Sequence, residues 1–176
     1  KEKIIFVGND GNRDTKLLLE IAKSFTNFEF IFVSKLDSLK SIELDNVKVL
    51  GDGWAKEGLN DEELKSLYLD ARLTILPLKE SSQPSGQSVA LQSMSLGTPV
   101  LISETEGFWD KELFRDNQEI FFISDNSLNG WVYKINNLYD NLELLEKVSI
   151  NATNLVREKL NLNEFHKTVK TIINLS

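Results

Sequence analysis

Two loops in this chain hold residue types suited to gripping an anion. The first, Gly8-Asn9-Asp10-Gly11-Asn12-Arg13-Asp14, leads from an apolar run into a helical pattern that carries Lys16 in its opening turn. Arg13 is one of four arginines in the chain. A guanidinium beside a helix N-terminus can meet a phosphate through charge-assisted hydrogen bonds. The loop lacks the third glycine of a dinucleotide fingerprint, and no Walker-type Gly-Lys-Ser/Thr is present. Asp10, Asn12 and Asp14 alternate as at the start of a calcium loop. That loop's sixth position would be Thr15 in place of Gly, and its twelfth Ile21 in place of Glu. Asp14 or Thr15 fits better as a helix cap. The second loop, Ser81-Ser82-Gln83-Pro84-Ser85-Gly86-Gln87-Ser88, feeds a helix that ends at Gly97. Backbone N–H groups at such a helix start are unpaired, and the helix dipole favours negative charge there. Along this helix Gln92, Ser93 and Ser95 form either a ligand face or simply the solvent side.

Cysteine chemistry has no residues to run on, and histidine chemistry has one. The 176 residues include no cysteine, which removes disulfides, thiolate nucleophiles and cysteine-rich zinc sites. The single histidine, His166, falls between Phe165 and Lys167 in the last helical pattern and reads as a surface residue. Lys plus Arg is 20 against 27 Asp plus Glu, a net charge of -7. A nucleic-acid groove needs the opposite field, so no nucleic-acid partner is expected. Apolar runs such as Ile4 to Val7 are far shorter than the roughly 20 residues of a membrane span. The charged start leads straight into a strand with no signal-peptide layout, so a cytoplasmic protein is expected.

Both loops need a scaffold to bring them together, and the apolar pattern supplies one. Short β-rich runs lie at Ile4–Val7, Phe30–Val33, Val47–Leu50, Leu73–Pro77, Pro99–Ile102 and Ile120–Ile123. Helical patterns lie between them: from Leu17 to Phe25, from about Asp61 to Ala71, from Gln87 to Leu96, and a short one over Phe108–Phe114. The remainder, Leu128–Leu138, Leu142–Leu160 and Glu164–Leu175, is also helical. Alternating strands and helices predict one α/β domain over residues 1–176, Rossmann-like, with a parallel sheet of about six strands flanked by helices. Ligands of such folds bind at the carboxyl ends of the strands, where strand order reverses. The loops after Val7, Leu50, Pro77 and Ile102 are therefore the places to look. Trp54 and Trp109 fall in these loops, and either stacking on a ligand or anchoring the loop would suit them.

Gln92-Ser93-Met94-Ser95-Leu96-Gly97-Thr98-Pro99-Val100 resembles the "E-A-M-A-x-G-x-P-V" signature of the retaining glycosyltransferases of family four, within the glycosyl transferases group 1 of GT-B fold. Val7-Gly8 with a following basic residue is similar to that family's first donor-domain loop. Val47-Lys48-Val49-Leu50-Gly51, with Glu63-Leu64, Tyr68 and Ala71, resembles its "V-x-F-L-G … E-L-x-x-L-Y-x-x-A" stretch. Leu76-Pro77 resembles "V-x-P-S", Gly107-Phe108-Trp109-Asp110 resembles "G-x-x-E", and Asn151-Ala152-Thr153 with Phe165 resembles the closing "N-A-R … F".

The likeness spans nearly the whole chain but matches only the C-terminal, donor-binding half of such an enzyme. It implies a nucleotide diphosphate sugar as co-substrate, no further cofactor and no metal. It also implies an N-terminal acceptor domain absent from this chain, through which any peripheral membrane contact would come. By resemblance, Gly8, Asn9, Arg13, Lys16, Gly86, Gln87 and Ser88 would bind the diphosphate. Gln92 would hold the ribose, and Leu50 and Gly51 would face the base. No protein nucleophile is implied, because in the family the departing phosphate is thought to take the acceptor proton. Arg13 and Gln92 are expected in a solvated crevice, important for binding and not for melting.

The chain departs from the family at two carboxylates. Eight positions before Gln92 stands Pro84 in place of the first glutamate, and Gln92 itself replaces the second. An amide can still bond ribose hydroxyls. For the first carboxylate the substitutes open are Glu80, Gln83, Ser85 and Gln87, so the catalytic residue is unassigned. A GT-B sugar-nucleotide epimerase and a non-enzymatic α/β nucleotide-binding module are the rival readings.

Overall fold

The computed structural model describes residues 2–51 and 59–174. Six parallel strands form one sheet: β1 (Glu2–Val7), β2 (Phe28–Val33), β3 (Val47–Leu50), β4 (Leu73–Leu76), β5 (Val100–Ser103) and β6 (Phe121–Ile123). Their order is β3-β2-β1-β4-β5-β6. Helices α1 (Thr15–Lys23), α2 (Asp37–Lys40), α3 (Asp61–Asp70), α4 (Gln87–Ser95), α5 (Leu128–Asp140), α6 (Leu142–Lys159) and α7 (Leu162–Asn174) surround it. Strands covered on both faces read as unbroken apolar runs, and Leu73–Leu76 and Val100–Ser103 are buried throughout.

Helix starts follow the polar residues before them. The side chains of Asp14, Asn60, Ser127 and Asn141 each accept a hydrogen bond from a first-turn N–H of α1, α3, α5 and α6. Gly97, at φ +83°, ends α4 in the left-handed conformation expected of it.

Sequence order turns back on itself between β1 and β4. There the register has two pairs, Ile4↔Leu73 and Ile5↔Thr74, against six between β1 and β2. The sheet is thus two three-strand halves meeting at a short seam.

Two elements differ from expectation. A one-turn helix, α2, follows β2. Phe108–Phe114 is not a helix but a set of turns, closed by Phe114 N–H to Asp110 O at 3.2 Å and by the Asp110 carboxylate on Leu113 N–H at 2.9 Å. The reason is the aromatic packing. Rings of the adjacent Phe108 and Trp109 lie 4.0 Å apart, whereas consecutive residues of a helix do not face each other. At the far end, α7 leaves Leu162, Phe165, Ile172 and Ile173 exposed and buries none of its described side chains.

Candidate functional site

The two loops singled out in the sequence meet where the strand order reverses. The loop after β1 folds across to the segment after β4 as a small antiparallel bridge, Arg13↔Leu78. Asp14 N–H donates to Pro77 O and Lys79 N–H to Asn12 O, both at 2.9 Å. This stitching carries the Arg13 side chain beside the start of α4.

Arg13 is 4% exposed, which corrects the expectation of a solvated side chain. The bridge to Leu78 turns it inward across Gly8. A Cβ on Gly8 would sit 2.2 Å from Arg13 Nε, so only glycine leaves room for the guanidinium there. On the other side is Gly86, at φ +78°, whose added Cβ would lie 3.5 Å from Arg13 Nη1. Arg13 Nη1 donates to Ser85 Oγ at 2.7 Å, and Nη2 stands 3.3 Å from the Asp10 carboxylate. Nε is buried without a partner among the described residues, as is the hydroxyl of Tyr68 from α3. Burial lowers the Arg13 pKa from its usual value, with Asp10 and Tyr68 opposing, and burial raises that of Tyr68. Arginine stays charged regardless.

Gly86 is the N-cap of α4 and offers no side chain to its first turn. The early N–H groups of Gln87 and Ser88 precede the first intrahelical donor, Ala90 N–H to Gly86 O at 2.8 Å. A fixed cation and an uncapped helix N-terminus therefore sit side by side, the two features that together hold a phosphate group.

The remaining expected residues are distributed around this point. Gln87, Ser88 and Gln92 are exposed, with Ser88 and Gln92 one turn apart on the same face of α4. Ser93 is not on that face: it is buried, bonded to Thr74 Oγ1 at 2.7 Å and donating to Thr98 O at 2.8 Å. Asn9 is exposed, but its side-chain oxygen accepts from Lys35 N–H at 2.6 Å, tying the β1 loop to the β2 loop. Gly51 packs on Ser34, whose hydroxyl donates to Gly8 O, so the segment holding Leu50 and Gly51 joins the same rim. Lys16 is exposed on α1 with no partner among the described residues.

Of the substitutes for the missing carboxylate, Glu80 accepts from Glu106 N–H and Ser85 is bound to Arg13. Gln83 and Gln87 are both exposed. Trp109 packs against Phe108 and Phe114, the anchoring role, while Trp54 lies outside the described residues. His166 is exposed on α7. The calcium reading fails on partners, since Asp14 caps α1 and Asp10 faces Arg13. Asp10 and Tyr68 are the neighbours of Arg13 that sequence reasoning did not assign. The i,i+3 spacing of Asp10 and Arg13 was the available signal for the first.

A parallel sheet whose switch point brings a buried arginine beside a helix start defines the class, an α/β domain of Rossmann-like build. The family model for glycosyl transferases group 1 matches residues 1–141, and the chain belongs to that family. Among solved structures it is similar to the C-terminal domain of a glycosyl transferase group 1 family protein, LpcC, from Francisella tularensis. That likeness is 20% identity and TM-score 0.71 over 92% of this chain and 87% of that one. A glycosyltransferase from Rickettsia africae aligns at 16% identity and TM-score 0.76, over 97% of this chain. HepE from Anabaena, crystallised with UDP and glucose, aligns at 15% and 0.76, over 99%. The chain spans 46% and 48% of the latter two, about half of each. No curated protein sequence matches it significantly.

Proposed function

We propose that this chain is the donor-binding half of a glycosyltransferase that moves a sugar from a nucleoside diphosphate sugar to an acceptor with retention of configuration. The observation that carries the reading is the buried guanidinium of Arg13 beside the uncapped start of α4. As the sugar departs, negative charge grows on the diphosphate. A fixed cation and preorganised N–H donors stabilise that charge without reorganising. Gln92 and Ser88, one turn apart on the open face of α4, reach the ribose and sugar side. Leu50 and Gly51 face the base, and Gln83 or Gln87 stands where the family's first carboxylate would be. That Anabaena HepE was crystallised with UDP and glucose supports a uridine nucleotide as the first ligand to try. The setting we assign is the cytoplasm, and the acceptor site belongs to an N-terminal half, so the 176 residues alone are inactive as a transferase.

Calorimetry against nucleoside diphosphates and their sugars tests this. Arg13→Ala is expected to weaken binding by about 1.5–3 kcal/mol, roughly ten- to a hundredfold, and to lower Tm because the side chain is buried. Gln92→Ala should cost binding about 0.5–1.5 kcal/mol and leave Tm unchanged, since its side chain is exposed. Unchanged affinity in both variants overturns the site assignment.

A further inference from the structure

We propose that Asp10 is a tethered competitor for the donor phosphate: its carboxylate occupies the open side of Arg13 until a diphosphate displaces it. This rests on the donor reading above and adds a determinant of ligand choice within the same site.

The geometry is that of an internal anion in an anion site. Asp10 Oδ2 lies 3.3 Å from Arg13 Nη2, and Oδ1 accepts from Ser85 Oγ at 3.3 Å and from Asn12 N–H at 3.0 Å. Ser85 in turn accepts from Arg13 Nη1 at 2.7 Å. The carboxylate thus takes the donors that a phosphate oxygen would need. Exposure is lopsided: the Asp10 side chain is 50% exposed and that of Arg13 only 3%. Asp10 is therefore the solvent-facing member of the pair.

Arg13 is enclosed, whereas Asp10 stands at the surface. The bridge to Leu78 and the Lys79 Nζ bond to Gly11 O fix the far side of the loop. Releasing Asp10 breaks its bonds from Ser85 Oγ and Asn12 N–H and its ion pair with Arg13, after which the half-exposed side chain rotates into solvent. Without ligand, the carboxylate compensates a buried charge that would otherwise be costly. With ligand, it would be a like charge close to the phosphates and must swing out. A diphosphate brings two phosphate groups to Arg13 and the start of α4 and outcompetes one carboxylate, whereas a neutral sugar does not. Asp10 so tilts the site toward ligands that carry phosphate and against neutral sugars.

The test is calorimetry on the 176-residue chain and its Asp10→Asn variant, with inorganic pyrophosphate, UDP and UMP as probes at low and high salt, beside thermal melts. Removing the carboxylate charge is expected to tighten UDP and pyrophosphate binding about tenfold. The effect should shrink at high salt, and the Tm of the unliganded protein should fall. The opposite signs of the affinity and melting effects mark a competitor. A loop brace would lose both. Equal or weaker affinity in Asp10→Asn, with the parent chain binding, overturns the competitor role and leaves the donor reading standing. No binding of any probe by either protein overturns both. Should Asp10→Asn not fold, Asp10→Ser is read by the same outcomes.

Discussion

Gly8 is a glycine because Arg13 lies against it. A methyl group there meets Nε at 2.2 Å, and the flexible side chain gives way before the strand does. Gly8→Ala is therefore expected to weaken diphosphate binding as Arg13→Ala does, by about 1.5–3 kcal/mol in calorimetry, with the fold kept. A second residue-scale prediction concerns acid. Glu119 is 7% exposed. Burial pushes its carboxyl up, but hydrogen bonds from the Arg115 guanidinium and backbone outweigh this and hold it below its ordinary 4.5. A carboxyl lowered in the folded state stabilises above its unfolded value, and the contribution is lost as pH falls through the folded one. Melting curves of Glu119→Gln and the parent should differ above the ordinary carboxyl value and converge as pH falls through the lowered folded-state one. At this scale the sequence was informative about residue type and silent about depth. Arg13 and its neighbouring helix starts were legible from spacing. Its burial was not, because that depends on a bridge to Leu78, remote in the chain.

Helix α4 divides its serines and glutamine between two jobs that the linear pattern could not separate. Ser93 faces the sheet and joins Thr74 to Thr98, while Gln92 beside it faces out. Ser93→Ala is expected to lower stability by about 1–3 kcal/mol in denaturant titrations and leave nucleotide affinity alone, the reverse of Gln92→Ala. Polar residues on both faces blurred the helical period, so alternation of strands and helices was readable while the inner face of this helix was not. Elements with a clean period or a capping residue, such as α1 after Asp14 and α3 after Asn60, match expectation closely. The stretch Phe108–Phe114 misled because aromatic residues at helical spacing serve equally well to bury a turn.

The molecule as a whole is two half-sheets with the candidate crevice at their junction. The order β3-β2-β1-β4-β5-β6 follows the expected parallel architecture, since six short apolar runs with helical crossovers admit few other arrangements. What the sequence left unstated was how thinly the halves are paired, with Ile4↔Leu73 and Ile5↔Thr74 as the whole register of β1 with β4. Amide exchange gives this a measurable form. Amides bonded across the β1–β4 seam, such as Arg72 N–H on Lys3 O, should exchange faster than those between β1 and β2. A bound diphosphate, touching both halves through Arg13 and α4, should slow that exchange selectively. Equal protection in the two places would show that the seam is no weaker than the rest. The seam also bears on how the chain reaches its fold. Pairing within each half joins segments near in sequence, whereas β1 must find β4 across the long stretch that holds β2 and β3, the slow kind of closure. Folding should then end with the docking of two preformed halves, and the ligand crevice would be the last part of the molecule to exist.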